Sequence, residues 1–287
     1  MVTIFSCPKP FTDPRTSVQQ HNAVGSWKQL RPTPTIILVG DEPGTEDICA
    51  GSGLLHLKEV DRSEFGTPIV SDLFARAEGA SHDQYLAFVN SDIILFQDFA
   101  NALQEAFDWN PDSLVVGGRI DLSVEEPIQL DNPKWEDAVR RSAGQMGVPM
   151  RISSDYFAFR KGSFSSMPPF AIGRPAYDNW FFWAARRRRK PVVDASSRVL
   201  AIHQVHRGPE EWETVQVSPE SQRNKSLAGR WASSFTLDDA THEFSDQGIT
   251  SRRRAARIHR VRVSRNELSN IIRHNLGLIR RSITRTR

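Results

Sequence analysis

Short, unbroken apolar runs that end on polar or glycine residues limit what this chain can fold into. Thr35-Ile36-Ile37-Leu38-Val39 stops at Gly40-Asp41, Tyr85-Leu86-Ala87-Phe88-Val89 stops at Asn90-Ser91-Asp92, and Leu114-Val115-Val116 runs through Gly117-Gly118-Arg119-Ile120. Runs of this length without polar alternation fit strands buried on both faces, as in a parallel sheet covered by helices. Val2–Ser6, stopped by Pro8 and Pro10, reads as a first strand, and Leu54 to Val60 as a third. Between the runs lie helical patterns. One starts at Thr16 or Ser17 and carries Val24, Trp27 and Leu30, another covers Pro68 to Glu78, and Phe99, Ala102, Leu103, Ala106 and Phe107 share one face of a third. The repeated order predicts an α/β fold with a doubly wound, mainly parallel sheet flanked by helices.

Beyond Asp121 the pattern loosens, as it does where substrate loops are grafted on a scaffold. Residues 125–135 read as an acidic, proline-punctuated loop, Tyr156–Phe159 as a short strand and Phe164–Arg174 as a loop. Asp178–Arg189 reads as a helix with Asp178 at its N-cap, and Arg198–His203 as the last strand. No internal repeat is visible.

Charge divides the chain. From Ser251 onward there are 12 Arg, no Lys and one acid, a net +11, whereas the preceding 250 residues hold 25 basic and 33 acidic groups, a net −8. We therefore expect a body over residues 1–245 and an Arg-rich helical tail over 246–287. In the tail, Ile258, Val261, Leu268, Ile271, Ile272 and Ile279 recur at near-helical intervals, so a basic amphipathic helix fits. Such a helix suits docking on the acidic body, and it suits peripheral contact with an anionic membrane surface. Nucleic acid is the less favoured partner, because the body is acidic and shows no nucleic-acid-binding fold. No apolar run reaches the ~20 residues of a membrane span, and the first residues lack a signal-peptide pattern, so a cytoplasmic location is expected. Cys7 and Cys49 are too few for a disulfide framework and lack metal-site spacing.

In open α/β sheets ligands bind beyond the carboxyl ends of the strands, so polar residues that interrupt the runs there are the candidates. Lys9 follows the first strand, Asp41 and Glu42 the second, Asn90-Ser91-Asp92 the fourth, and His203 and His206 lie at and after the last. If both histidines lay on one strand they would face opposite sides, so one of them at most is a ligand unless the chain turns.

Three segments in this order, FVNSDIIL, AIGRPAYDNWFFW and VVDASSRVLAIHQVH, resemble those of the GT-A glycosyltransferases over residues 1 to about 245. The resemblance implies a nucleotide-sugar donor, an acceptor hydroxyl of unknown identity, and a divalent cation, Mn or Mg, gripping the donor diphosphate. Asp92 matches the last Asp of the metal triplet, with Asn90 where the pattern places an Asp, and His203 or His206 would complete the metal shell. Asp178 matches the acidic residue that serves as base in inverting members. Asp41 and Glu42 would meet the nucleoside, and Lys9 the phosphates. Two alternatives stay open: a nucleotidyltransferase, whose glycine- and basic-rich loop after the first strand is missing from Cys7-Pro8-Lys9-Pro10-Phe11, and a non-catalytic binding protein of the same fold.

Overall fold

The computed structural model describes residues 2–151, 154–205 and 209–252. Along them run strands β1 (Val2–Ser6), β2 (Thr35–Val39), β3 (Leu55–Leu57), β4 (Tyr85–Val89), β5 (Ile93–Ile94), β6 (Leu114–Val116), β7 (Arg119–Leu122), β8 (Val148–Met150), β9 (Tyr156–Arg160), β10 (Val192–Asp194), β11 (Ile202–Gln204), β12 (His242–Ser245) and β13 (Gly248–Ser251). The helices are α1 (Pro14–Gln29), α2 (Thr45–Ser52), α3 (Val70–Ala80), α4 (Gln97–Trp109), α5 (Trp135–Met146), α6 (Tyr177–Arg187), α7 (Pro209–Val217) and α8 (Pro219–Ala232).

Among the described residues the central sheet has nine strands in the order β13-β12-β10-β6-β9-β4-β1-β2-β3. It is parallel except at β9, which lies antiparallel between β4 and β6, and at β13, antiparallel to β12. The apolar runs place it. Alternate residues of one strand point to opposite faces, and both faces are buried: Phe5, Ile37, Leu86, Phe88, Phe157 and Phe159 join one core with α3 and α6. Ile4, Ile36, Leu38, Ala87, Val89, Tyr156 and Ala158 join the other with α1 and α4. The expected mixed α/β architecture, a mostly parallel sheet flanked by helices, is what the chain adopts.

Several expected boundaries move. Helix α1 starts at Pro14, with Asp13 as N-cap accepting the Thr16 amide at 2.7 Å, because proline fits the first helical turn. The run Leu114–Ile120 is two strands in two sheets: a Cβ at Gly117 would run into the Tyr156 hydroxyl and one at Gly118 would come within 2.9 Å of the Met150 carbonyl oxygen, so the chain breaks direction there. The last expected strand shrinks to β11, since 195–199 form a turn with Val199 N–H bonded to Ala195 O at 2.9 Å. Strands β10, β12 and β13 and helices α5, α7 and α8 extend the sequence reading.

A second sheet, β5-β11-β7-β8, sits beside the carboxyl edge of the first and packs on α5 through Ile94, Phe96, Leu122, Val139, Ala143 and Ile202. The β12–β13 hairpin spans residue 245 and runs to Ser251, and Arg252 donates to the buried Asp194 carboxylate at 2.5 Å. The expected basic helix lies outside the described residues. Among those described, no helix is long and apolar enough to cross a membrane.

Candidate active site

Strands β1, β2 and β4 are parallel, so the residues after each reach one edge of the sheet, and the antiparallel β9 brings its first residues to that same edge. The triplet after β4 forms a tight turn into β5. The Ile93 amide donates to Asn90 O at 3.1 Å, and Gln204 Nε2 donates to Asp92 O at 3.0 Å. From α1, Gln20 clamps the neighbouring loop: it accepts from the Lys9 amide at 2.7 Å, donates to Lys9 O at 2.9 Å, and accepts from Ser91 Oγ at 2.8 Å. This holds Lys9 and the triplet in register. Asp92 is buried, with Oδ2 3.8 Å from Lys9 Nζ and 3.9 Å from His203 Nε2.

A line of alternating charges leads away from this group. His203 Nδ1 lies 2.9 Å from Asp121 Oδ1, which also accepts from Arg119 Nε at 2.7 Å. The other end of the Arg119 guanidinium donates to Asp155 Oδ2, and Asp155 Oδ1 accepts from Asn90 Nδ2 at 2.7 Å. Burial works against the Arg119 charge, yet the two carboxylates hold the guanidinium more basic than usual. Burial likewise raises the Asp121 carboxyl, and His203 and Arg119 together bring it below its ordinary range. The Asp121 carboxylate on Nδ1 holds the imidazole ring with Nε2 toward Asp92.

Asp178 stands at the far end of this line. It is not the N-cap that the sequence suggests. Ala176 takes the cap position with φ at +85°, a left-handed conformation costly for a residue with a side chain, and Asp178 is the second residue of α6. The residue is half-buried, but its Oδ1 is enclosed and has no hydrogen-bond partner among the described residues. Burial, joined by the nearby Asp155 charge, pushes the Asp178 carboxyl up from 3.8 to about 6, against the pull of backbone amides in the first turn. Beside it, burial and then the charges of Asp178, Asp155 and Asp92 hold Tyr177 well above its usual value, while the Asn90 side chain hydrogen-bonds its hydroxyl. A carboxyl that titrates near neutrality in a rigid setting is equipped to take a proton.

Asp41 and Glu42 occupy a separate patch after β2. Arg62, from the loop following β3, pairs with Asp41 at 2.5 Å and Glu42 at 2.8 Å. The Cys7 thiol nearby is pushed up to about 12 by burial and by Glu42. The structure thus brings Lys9, Asp92 and His203 together, runs from them through Asp121, Arg119 and Asp155 toward Asp178, which feels the Asp155 charge, and pairs Asp41 and Glu42 with Arg62 beside Cys7. His206 lies outside the described residues.

Sequence reasoning did not single out Arg119, Asp121, Tyr177, Gln20 or Arg62. A signal for Arg119 and Asp121 is present, since they follow an apolar strand at the same sheet edge, but Arg119 falls inside the Leu114–Ile120 run and Asp121 directly after it.

No family model matches the chain, and no curated protein matches it. Among solved structures it is similar to glucosyl-3-phosphoglycerate synthase from Mycobacterium tuberculosis. For the complex with Mn2+, UDP-glucose and phosphoglyceric acid the TM-score is 0.49 and the identity 15%, over 79% of this chain and 78% of that one. For the complex with Mn2+, UDP and phosphoglyceric acid the TM-score is 0.48 and the identity 15%, over 80% and 78%. A further mycobacterial protein matches with a TM-score of 0.48 and 13% identity, over 79% and 73%.

Proposed function

We propose that this chain is a GT-A-type glycosyltransferase that moves a sugar from a nucleoside diphosphate to an acceptor hydroxyl. What supports it is the geometry at the carboxyl edge of the sheet, where Asp92 Oδ2 lies 3.9 Å from His203 Nε2 and Asp178, in the first turn of α6, has its Oδ1 enclosed, a carboxyl that burial raises to about 6. One end of the site is built to take a proton and the other to hold a cationic centre.

The residues fit a divalent cation in part. Asp92 Oδ2 and His203 Nε2 face each other 3.9 Å apart, wide enough for a shared ion bound at about 2.1 Å from each. Asp121 behind His203 supplies the outer partner such ligands use. Among the described residues no cluster of three or more His, Cys, Asp and Glu can hold a metal. The protein then offers two donors and leaves the other positions to phosphate and water, as Mg and related ions accept. When bound, the cation neutralises the charge that develops on the departing diphosphate.

The chain's own groups do the rest. Lys9 Nζ, 3.8 Å from Asp92 Oδ2, lies beside that site and can turn toward a donor phosphate. Asp41 and Glu42, held by Arg62, would receive the nucleoside. Asp178 would remove the acceptor proton, its basicity maintained by Asp155.

The test is a panel of nucleotide sugars with and without Mn, read as donor hydrolysis or transfer and as a thermal shift with nucleoside diphosphates, since a ligand that binds only the folded state raises its melting temperature. Metal-dependent binding with turnover supports the reading. Binding without turnover supports a non-catalytic protein of this fold, and the absence of both overturns it.

A further inference from the structure

The triplet resemblance prescribes a carboxylate at position 90, where a second acid would strengthen a cation site. The structure assigns Asn90 a different task, and we infer that it is a positioning residue that must stay neutral, tying Asp155 and Tyr177 together at the start of α6. This deepens the glycosyltransferase reading and rests on it for its consequence in turnover.

The geometry leaves little choice. Asp155 is buried and both of its oxygens are engaged, Oδ2 by Arg119 and Oδ1 by Asn90 Nδ2 at 2.7 Å. The backbones are joined as well, the Asn90 amide donating to Asp155 O at 2.9 Å. The Asn90 amide nitrogen has two protons to give: one goes to Asp155 Oδ1, and the side chain also favours the ionised form of the Tyr177 phenol, as a donated proton does. A carboxylate in its place would set two negative oxygens in contact in a largely enclosed site, near Asp178, on which the Asp155 charge already acts. Tyr177 and Asp178 are adjacent, and the chain enters them through the strained Ala176. The Asn90 contact therefore helps fix the direction in which α6 presents Asp178. Asn90 carries position from the donor side of the site to the base side.

Three proteins test this: the parent, Asn90→Asp, and the exchange Asn90→Asp with Asp155→Asn, which returns one amide and one carboxylate to the contact. Melting temperature is measured without metal or nucleotide, and turnover with a donor that the parent uses. Asn90→Asp is expected to lower the melting temperature by roughly 5 °C. It is expected to reduce kcat by roughly tenfold or more, the scale on which a displaced group costs turnover, with donor KM nearly unchanged. The exchange should recover part of the lost melting temperature, since it restores the amide–carboxylate contact but gives up the charge that Asp155 offers Arg119. An Asn90→Asp protein as stable as the parent, or one with raised turnover and tighter Mn binding, overturns the inference, as does an exchange no more stable than the single variant. If the parent transfers no sugar at all, the glycosyltransferase reading fails, while the melting series still decides whether Asn90 must be neutral.

Discussion

Replacing Asp178 by asparagine should make the protein more stable at pH 8 while removing its activity. The carboxyl is carried from 3.8 to about 6 by burial and by Asp155. At 1.36 kcal/mol per tenfold change in the proton equilibrium, that is a cost of about 3 kcal/mol for holding the charged group in the folded state. Asp178 is half-buried, so solvent screening reduces this to about 1–2 kcal/mol. The sign follows from the direction of the shift. The folded-state value lies above the unfolded one, so the cost is absent below about pH 3.8, grows between 3.8 and 6, and is complete above 6. Asp178→Asn removes the charge, keeps the shape and offers an amide to Asp155. For a body of this size the gain corresponds to a melting temperature higher by about 3–6 °C at pH 8, shrinking to under about 1 °C at pH 4. Turnover should fall by about 10²–10⁴-fold with donor affinity retained. Melting curves at the two pH values, beside steady-state kinetics, check both halves. A variant less stable than the parent at pH 8, or equally altered at pH 4 and pH 8, would refute the argument that Asp178 is held charged at a cost.

Three further outcomes are expected. Asp92→Ala should abolish the thermal shift produced by nucleoside diphosphate with Mn while leaving the melting temperature of the free protein within about 2 °C, because the removed carboxylate is itself buried at a cost; an undiminished shift takes Asp92 out of cation binding. Burial raises the Glu220 carboxyl, but Ser63, Thr67 and Arg174 hold it below its ordinary 4.5, so its contribution is present above pH 4.5 and lost as pH falls through the lower folded value; Glu220→Gln should destabilise by about 1–3 kcal/mol at pH 7 and by much less at pH 3, checked by denaturant titration at both. A chain ending at Arg252 keeps the bond to Asp194 but loses eleven arginines and one acid; if the tail contacts an anionic membrane, with each Arg near the surface adding about 1 kcal/mol, it should lose binding to anionic vesicles at an unchanged melting temperature, whereas a lower melting temperature indicates a segment docked on the body.

What could be read in the sequence, and what could not, follows from where the information lies. Strands β2 and β4 are legible because a strand buried on both faces is apolar at nearly every position, and runs such as Ile36–Val39 and Tyr85–Val89 are hard to mistake, whereas β1, with Thr3 and Ser6 buried in it, is marked by its β-prone residues and by the prolines that follow. Strand β10 is not legible, because Val192-Val193-Asp194 is three residues long and owes its place to neighbours β6 and β12, more than forty residues away in sequence. The second sheet failed for the same reason, since β5, β7, β8 and β11 each span four residues or fewer. In the site, Asp92 and His203 stood out because a charged or titratable group closing an apolar strand at the ligand edge is conspicuous. Asp155 and Arg119 did not, because what distinguishes them from surface charges is their pairing across thirty-six residues. For Asp178 the structure replaces the capping argument that the sequence suggests. The left-handed Ala176 takes the cap, and the carboxyl is thereby left inside the first turn with Oδ1 enclosed and unpartnered. A capping aspartate would have been stabilised as an anion and kept acidic. Here burial, joined by Asp155, outweighs the amides of the first turn and raises it toward neutrality, which is the property the proposed base needs.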